Sequence, residues 1–267
     1  MCFAGVTGWT APPILAAIDE CDDLVLSAGV ARSAAGKSLA EAVGSSSQGH
    51  VYRSVAEALE AARVDVLVDY TSAAAVRNNV RTAVSAGVHA VIGSSGLGAD
   101  DYAELDQLAR GRGVGVIASG NFSVMAAVLG RAAALAARHF EHWEIIDYAS
   151  DTKPDVPSGT ARELAESLST IRAPRTGVPV AELQGPVEAR GAEVAGGRVH
   201  SVRLPSFVVT AEIVFGGHGE RLLLRHDPGN DPRPYVEGTL LAIRRVGEEV
   251  GVRRGLESLI FGNMPPG

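Results

Sequence analysis

The chain has 267 residues, 46% of them apolar and 21% charged, with a formal net charge of −7. That length holds one large domain or two modest ones with a real core, and the acidic balance argues against a nucleic-acid surface, which needs a basic patch. No window reaches the roughly 18 apolar residues of a membrane span, and no basic-then-apolar leader follows Met1. The expectation is therefore a cytoplasmic protein without membrane association. Cys2 and Cys21 have neither a metal-ligand spacing nor a disulfide framework, so no metal site is expected.

Met1 to Ala4 is a short apolar run that ends in Gly5-Val6-Thr7-Gly8-Trp9-Thr10-Ala11, followed by Pro12, Pro13 and apolar Ile14, Leu15 and Ile18. Prolines suit a first helical turn, where the missing N–H had no partner. The reading is strand, glycine turn, helix: a G-x-x-G-x-x-A variant of the dinucleotide fingerprint, whose glycines let the backbone approach a pyrophosphate at a helix start. Gly5, Thr7, Gly8, Trp9 and Thr10 are candidate cofactor contacts, although a plain tight turn gives the same pattern in isolation.

Leu24 to Val30 reads as a second strand, and after it, where NAD-binding chains carry an acidic residue for the ribose hydroxyls, stand Arg32 and Ser33, with Lys37 nearby. A cation there neutralises a 2′-phosphate, so NADPH is expected, with NADH possible; the alternative is a solvated loop arginine. Gly36-Lys37-Ser38 imitates the end of a phosphate loop, but its first glycine would fall at Ala31.

Ser54 and Glu57 cap a helix through Ala62, and Val64–Tyr70, Val88–Ile92 and Val114–Ala118 read as strands around helices at Ala73–Ala86 and Asp101–Arg110. The alternation predicts a doubly wound, Rossmann-like parallel sheet. Ligands of such sheets bind beyond the carboxyl ends of the strands, which places Thr71, Gly93, Ser95, Gly120 and Phe122 within reach of a nicotinamide.

Ser123–His139 is an alanine-rich helix and Trp143–Ala149 a strand. Residues 173–197 read as loop, Phe207–Phe215 and Glu220–His226 as a hairpin about Gly216–Gly219, and Tyr235–Val246 as a last helix returning to the first domain. A hairpin implies a mixed or antiparallel sheet in a second domain. Its apolar face needs cover, so a homo-oligomer is expected.

Between these elements lies Asp147–Thr160, DYASDTKPDVPSGT. Of 24 basic residues only Lys37 and Lys153 are lysines, and arginine replaces lysine as a solvated charge but not where an amine must give up a proton. Thr160 and Glu163 have capping-box spacing. A helix start beside a lysine suits a carboxylate or phosphate, making Lys153 the candidate catalytic residue; an ordinary loop-to-helix junction is the alternative.

At these residues the chain resembles dihydrodipicolinate reductase of the diaminopimelate and lysine pathway, over nearly its whole length. The matching blocks are the glycine turn, VDYTSAAAV from Val68, VIGSSG from Val91, GNFS from Gly120, WEIIDYASDTKPDVPSGTA from Trp143 and FGGHGERLLLRH. The resemblance implies a Rossmann-like N-terminal domain, a mixed-sheet C-terminal domain that tetramerises, and hydride transfer from NAD(P)H to a cyclic or α,β-unsaturated imine. It gives Lys153 the proton-donating role, Gly159 and Thr160 the substrate carboxylate, and Gly93, Ser95 and Phe122 the nicotinamide. Ser150 and Ser158 join the candidate substrate contacts. The dinucleotide-binding domain is expected at 1–120 and 233–267, and the substrate-binding and oligomerisation domain at 121–232.

The chain also departs from that family. Where the family places two adjacent histidines, Ala149 and Ser150 stand here; Arg203 is kept, but Leu204-Pro205-Ser206 and Thr210-Ala211-Glu212 replace the family's following residues. The resulting expectation is an NADPH-dependent reductase of a C=N bond in a small carboxylated molecule, with an altered substrate. The alternatives are a genuine 4-hydroxy-tetrahydrodipicolinate reductase or a non-catalytic NADPH-binding paralogue.

Overall fold

The structure is a computed structural model that describes residues 1–207 and 209–262. Val208, within the expected Phe207–Phe215 strand, and residues 263–267, within the expected first domain, lie outside the described residues. The chain divides into two compact units, Met1–Phe122 with Pro232–Leu259, and Ser123–Asp231 joined by the chain end from Ile260.

The first unit alternates strand and helix: β1 (Cys2–Ala4), α1 (Ala11–Asp19), β2 (Ala28–Val30), α2 (Leu39–Val43), β3 (His50–Tyr52), α3 (Val55–Ala61), β4 (Val66–Asp69), α4 (Ala73–Ser85), β5 (His89–Ile92), α5 (Ala99–Arg112) and β6 (Gly115–Ala118). The strands β1 to β6 form a parallel sheet in the order β6-β5-β4-β1-β2-β3. They are fully buried at their centres, as strands covered on both faces must be: Phe3, Leu67, Val91 and Val116 are each 0% exposed. Strand order reverses beside β1, and the mouth at that switch point, beyond β1 and β4, is where such sheets bind ligands.

In the second unit the chain runs α6 (Val124–His139), β7 (His142–Ala149), α7 (Gly159–Ile171), β8 (Ala192–Val194), β9 (Gly197–Arg203), β10 (Val209–Gly216) and β11 (Arg221–His226). These strands form a mixed sheet ordered β11-β10-β7-β9-β8, with β7 parallel to β9 and antiparallel to β10. Side chains alternate across β7, so Trp143, Ile145, Asp147 and Ala149 are buried while Glu144, Ile146 and Tyr148 are half-exposed. The buried row packs with Val199, Ile213 and Phe215 against Leu129, Ala133 and Ala137 of α6 and Leu164, Ala165 and Leu168 of α7. Small residues along α6 let the helix approach the sheet closely.

The chain ends with α8 (Tyr235–Arg245), β12 (Gly251–Arg254) and α9 (Glu257–Phe261). Helix α8 belongs to the first unit, and β12 extends the parallel sheet at its β6 edge.

Several elements differ from the sequence reading. The second strand is confined to Ala28–Val30, the three residues that pair with β1. Strands β3, β8, β9 and β12 and helices α2 and α9 are additional, so the helix expected to be the last is followed by one more. Helix α2 explains Ser38: its hydroxyl accepts from Glu41 N at 3.2 Å while Glu41 reaches back to Ser38 N at 2.9 Å, so Gly36-Lys37-Ser38 leads into a capping box. Helix α7 begins one residue before the expected cap. Ser158 is the cap, accepting from Ala161 N at 3.3 Å, and Thr160 lies buried inside the first turn.

Candidate functional site

In the first unit Gly5 ends β1 with φ +85, a conformation that side chains rarely adopt, and its amide donates to Val30 O at 2.9 Å. A Cβ there would lie 2.2 Å from Tyr70 O. The turn closes by Gly8 N to Gly5 O at 2.8 Å and Ala11 N to Gly8 O at 3.2 Å. No protein hydrogen bond is seen from the amides of Thr7, Trp9 or Thr10 among the described residues, and Pro12 and Pro13 occupy the first turn of α1. Thr7 and Trp9 are exposed. A glycine turn at a sheet's switch point, with amides that find no protein acceptor among the described residues, fits a dinucleotide pyrophosphate.

Beyond β2, Arg32 and Ser33 open a short 3-10 turn; both are exposed, as is Lys37. Neither Arg32 nor Lys37 makes an ion pair among the described residues. Two uncommitted cations in one turn region suit the extra phosphate of NADPH.

A buried carboxylate that the sequence reading passed over organises the ends of β4 and β5. Asp69, 0% exposed, accepts from Thr71 N (3.1 Å), Thr71 Oγ1 (2.7 Å), Ser94 Oγ (2.6 Å) and Asn79 Nδ2 (2.9 Å). Ser94 Oγ in turn accepts from Thr71 N at 2.7 Å. Thr71 and Ser94 are thereby fixed, while Ser95 and Gly120 are exposed. Two candidates have packing roles as well. The Phe122 ring is buried edge-on against Tyr70, 5.8 Å between centroids, so its side chain is a core residue. A Cβ on Gly93 would meet the Tyr70 ring at 2.2 Å. Tyr70 itself stacks on Phe3 and shares a 2.7 Å hydrogen bond with Thr239, and burial pushes its phenol well above the ordinary range.

In the second unit the Asp147–Thr160 stretch is a connected polar site. Strand β7 delivers Asp147 on its buried side, where the carboxylate accepts from Ser158 N (2.8 Å), Ser158 Oγ (2.6 Å), Ser201 Oγ (3.1 Å) and Arg203 Nη2 (2.8 Å). Burial alone would raise its pKa, but the Ser158 hydrogen bonds and the Arg203 guanidinium outweigh it and hold the carboxyl below its ordinary value. Lys153 follows a tight turn, Lys153 N to Ser150 O at 3.0 Å, and its Nζ lies 2.8 Å from Asp155 Oδ1. The lysine side chain is 28% exposed, open enough to meet a ligand. Ser150 Oγ is within 2.9 Å of Thr152 Oγ1 and donates to Asp151 at 3.3 Å. Ala149 is fully buried and offers no polar group.

This geometry brings Lys153, Ser158, Gly159 and Thr160 to one place around the start of α7. No hydrogen bond is seen from the Gly159 amide among the described residues. A cation beside the N-terminus of a 13-residue helix favours a carboxylate. Among the described residues no group of three or more His, Cys, Asp or Glu side chains could hold a metal ion, and no helix is long and apolar enough to cross a membrane.

A parallel sheet with a glycine turn at its switch point, in one chain with a candidate anion site at Lys153 and the start of α7, fits an NAD(P)H-dependent oxidoreductase. The comparisons with known proteins agree. Residues 2–122 match the family model "Dihydrodipicolinate reductase, N-terminus" and residues 122–259 "Dihydrodipicolinate reductase, C-terminus". The 4-hydroxy-tetrahydrodipicolinate reductase of Moorella thermoacetica is 41% identical over 211 residues, 79% of this chain and 78% of the relative. That of Syntrophomonas wolfei is 35% identical over 258 residues, 96% of this chain and 97% of the relative. Among solved structures, a dipicolinate-bound dihydrodipicolinate reductase from Paenisporosarcina sp. TG-14 superposes with a TM-score of 0.74 at 28% identity, covering 96% of this chain and 97% of that one. The chain belongs to the dihydrodipicolinate reductase family.

Proposed function

We propose that the protein is a 4-hydroxy-tetrahydrodipicolinate reductase that uses NADPH. The altered substrate expected from Ala149 and Ser150 has no support in the comparisons. The Moorella and Syntrophomonas relatives both carry this one reductase name at 41% and 35% identity, and the ordinary family substrate is the reading they favour. The observation that carries it is the Lys153 ammonium, 2.8 Å from Asp155, whose carbonyl shares Arg203 Nη2 with Asp147, the carboxylate that holds the α7 cap Ser158.

When bound, the dinucleotide supplies a hydride. The Gly5–Thr10 turn would hold its pyrophosphate, Arg32, Ser33 and Lys37 its 2′-phosphate, and Thr71, Gly93, Ser95, Gly120 and the Phe122 backbone the nicotinamide end. In the second unit the amides at Gly159 and Thr160 would orient a substrate carboxylate, whereas Ser158, expected as a substrate contact, is buried with its amide and hydroxyl both donated to Asp147 and serves as the cap of α7. Lys153 would give a proton to the nitrogen side of the reduced bond, and Ser150 would contact the substrate in place of a histidine. An aligned acid of this kind contributes about 10²–10⁴-fold, which a lysine can supply without the histidines.

The outer face of the second unit's sheet presents Ile146, Val202 and Val214, with Leu223 55% exposed. A cavity of about 690 Å³ lies on that face beside Glu144, which pairs with Arg190 and stands 2.7 Å from His200 Nε2, and contains none of the site residues. This face would be covered by further copies of the chain in a homo-oligomer, a tetramer by the family resemblance.

The reading is tested by complementation. Expression in a bacterium that lacks its own 4-hydroxy-tetrahydrodipicolinate reductase is expected to restore growth without added diaminopimelate and lysine, and the Lys153→Met variant is expected not to. No rescue by the well-expressed wild type would count against it.

A further inference from the structure

Strand β9 runs parallel to β7 with Arg203 opposite Ala149 and Ser201 opposite Asp147. That register puts a long cationic side chain on the buried side of the sheet. Its guanidinium is committed on several sides. Nη2 donates to Asp147 Oδ2 and to the Asp155 carbonyl, both at 2.8 Å, while Nη1 donates to Asp147 O at 3.2 Å and Val202 O at 3.0 Å. Both of its bridging partners lead to the candidate site. Asp147 fixes Ser158, the cap of α7, through 2.6 and 2.8 Å hydrogen bonds, and Asp155 carries the carboxylate that pairs with Lys153 at 2.8 Å.

We infer that Arg203 is a positioning residue for the reduction. One guanidinium sets both the Lys153–Asp155 pair and the anion-binding start of α7, so that the proton donor and the carboxylate cradle keep a fixed spacing. The bridge requires a planar, forked donor. Lysine offers a single ammonium point and cannot reach a carboxylate, a strand carbonyl and a loop carbonyl in the directions seen here. Asp155 acts with it: its main chain is held by Arg203 while its side chain directs the Lys153 amine.

The inference rests on the reductase reading, and its test separates the two. The probes are the reductase substrate in steady-state kinetics and dipicolinate, a planar dicarboxylate, in calorimetric binding. Arg203→Ala and Arg203→Lys are expected to weaken dipicolinate binding and lower kcat/KM at least tenfold each, with NADPH affinity unchanged, because none of the affected groups belongs to the first unit's turn. Millimolar guanidinium is expected to restore part of the lost kcat/KM in Arg203→Ala and to do nothing for the wild type. A purely structural arginine would not show that rescue in a folded, NADPH-binding protein. Should Arg203→Ala fail to fold, Asp155→Asn leaves the arginine bridge intact and is expected to lower kcat/KM at least tenfold with an unchanged melting temperature. An active wild type whose folded Arg203 variants, or whose Asp155→Asn, keep kcat/KM and dipicolinate affinity within twofold overturns this inference alone. A wild type without turnover overturns the reductase reading, and the dipicolinate comparison still decides whether Arg203 shapes the anion site.

Discussion

Replacing Gly5 by alanine separates the two reasons a glycine can be required. Gly113, at the end of α5, has φ +68 with nothing within 4 Å of a new Cβ. Its alanine variant should suffer the left-handed backbone penalty of about 1–2 kcal/mol, offset by about 0.4–1 kcal/mol from a less flexible unfolded chain. Gly5, at φ +85, carries the same penalty, and its Cβ would also stand 2.2 Å from Tyr70 O and 2.8 Å from Tyr70 C. That backbone cannot yield easily, because Tyr70 N is bonded to Ala4 O at 3.0 Å and the Tyr70 ring is anchored by Thr239 at 2.7 Å and stacked on Phe3. Overpacking of this kind costs about 1–3 kcal/mol, so Gly5→Ala should be about 1–3 kcal/mol less stable than Gly113→Ala in urea unfolding. It should also bind NADPH at least tenfold more weakly, since the turn that directs the Thr7, Trp9 and Thr10 amides must shift. Equal urea midpoints and equal NADPH affinities in the two variants would mean that the Tyr70 backbone does not restrict residue 5.

Three further outcomes follow from the same geometry. Arg32→Ala should raise the KM for NADPH about tenfold, the weight of one charge-assisted contact of about 1.4 kcal/mol, and leave the KM for NADH unchanged; an equal effect on both would remove the arginine from the 2′-phosphate. Lys153→Met should lower kcat by about 10²–10⁴-fold with little change in melting temperature, because the side chain is partly exposed; full turnover would end its catalytic assignment. Asp147 has a folded pKa depressed below its ordinary 3.8, so it contributes stability above that value, and the contribution is lost as pH falls through the folded pKa. Melting temperature should therefore drop below about pH 4 more steeply in the wild type than in Asp147→Asn, and parallel pH profiles would contradict the buried ion pair with Arg203.

Local chemistry made much of the molecule legible in its sequence. The Gly5–Ala11 turn, the alternating strands and helices of the first unit and the lysine ahead of Pro157-Ser158-Gly159-Thr160 all declare themselves within a few neighbouring residues. What was not legible depends on pairing between distant segments. Strand β9 buries Val199 but carries charged and polar residues at Arg198, His200, Ser201 and Arg203, so its pattern resembles loop until β7 pairs with it. Asp69 reads as the polar end of a strand, and its role emerges only when Thr71, Asn79 and Ser94 converge on it. The cap of α7 was displaced from Thr160 to Ser158 by a contact of the same kind, because Asp147, eleven residues earlier, fixes the Ser158 hydroxyl and amide.

Purified protein mixed with 4-hydroxy-tetrahydrodipicolinate, with NADPH oxidation followed against NADH and substrate-free controls, decides whether the chain carries out the proposed reduction. Rapid, substrate-dependent turnover is expected, faster with NADPH than with NADH at limiting cofactor. Tight NADPH binding with no substrate-dependent oxidation would contradict it and leave the chain a family member that does not carry out the family's reaction.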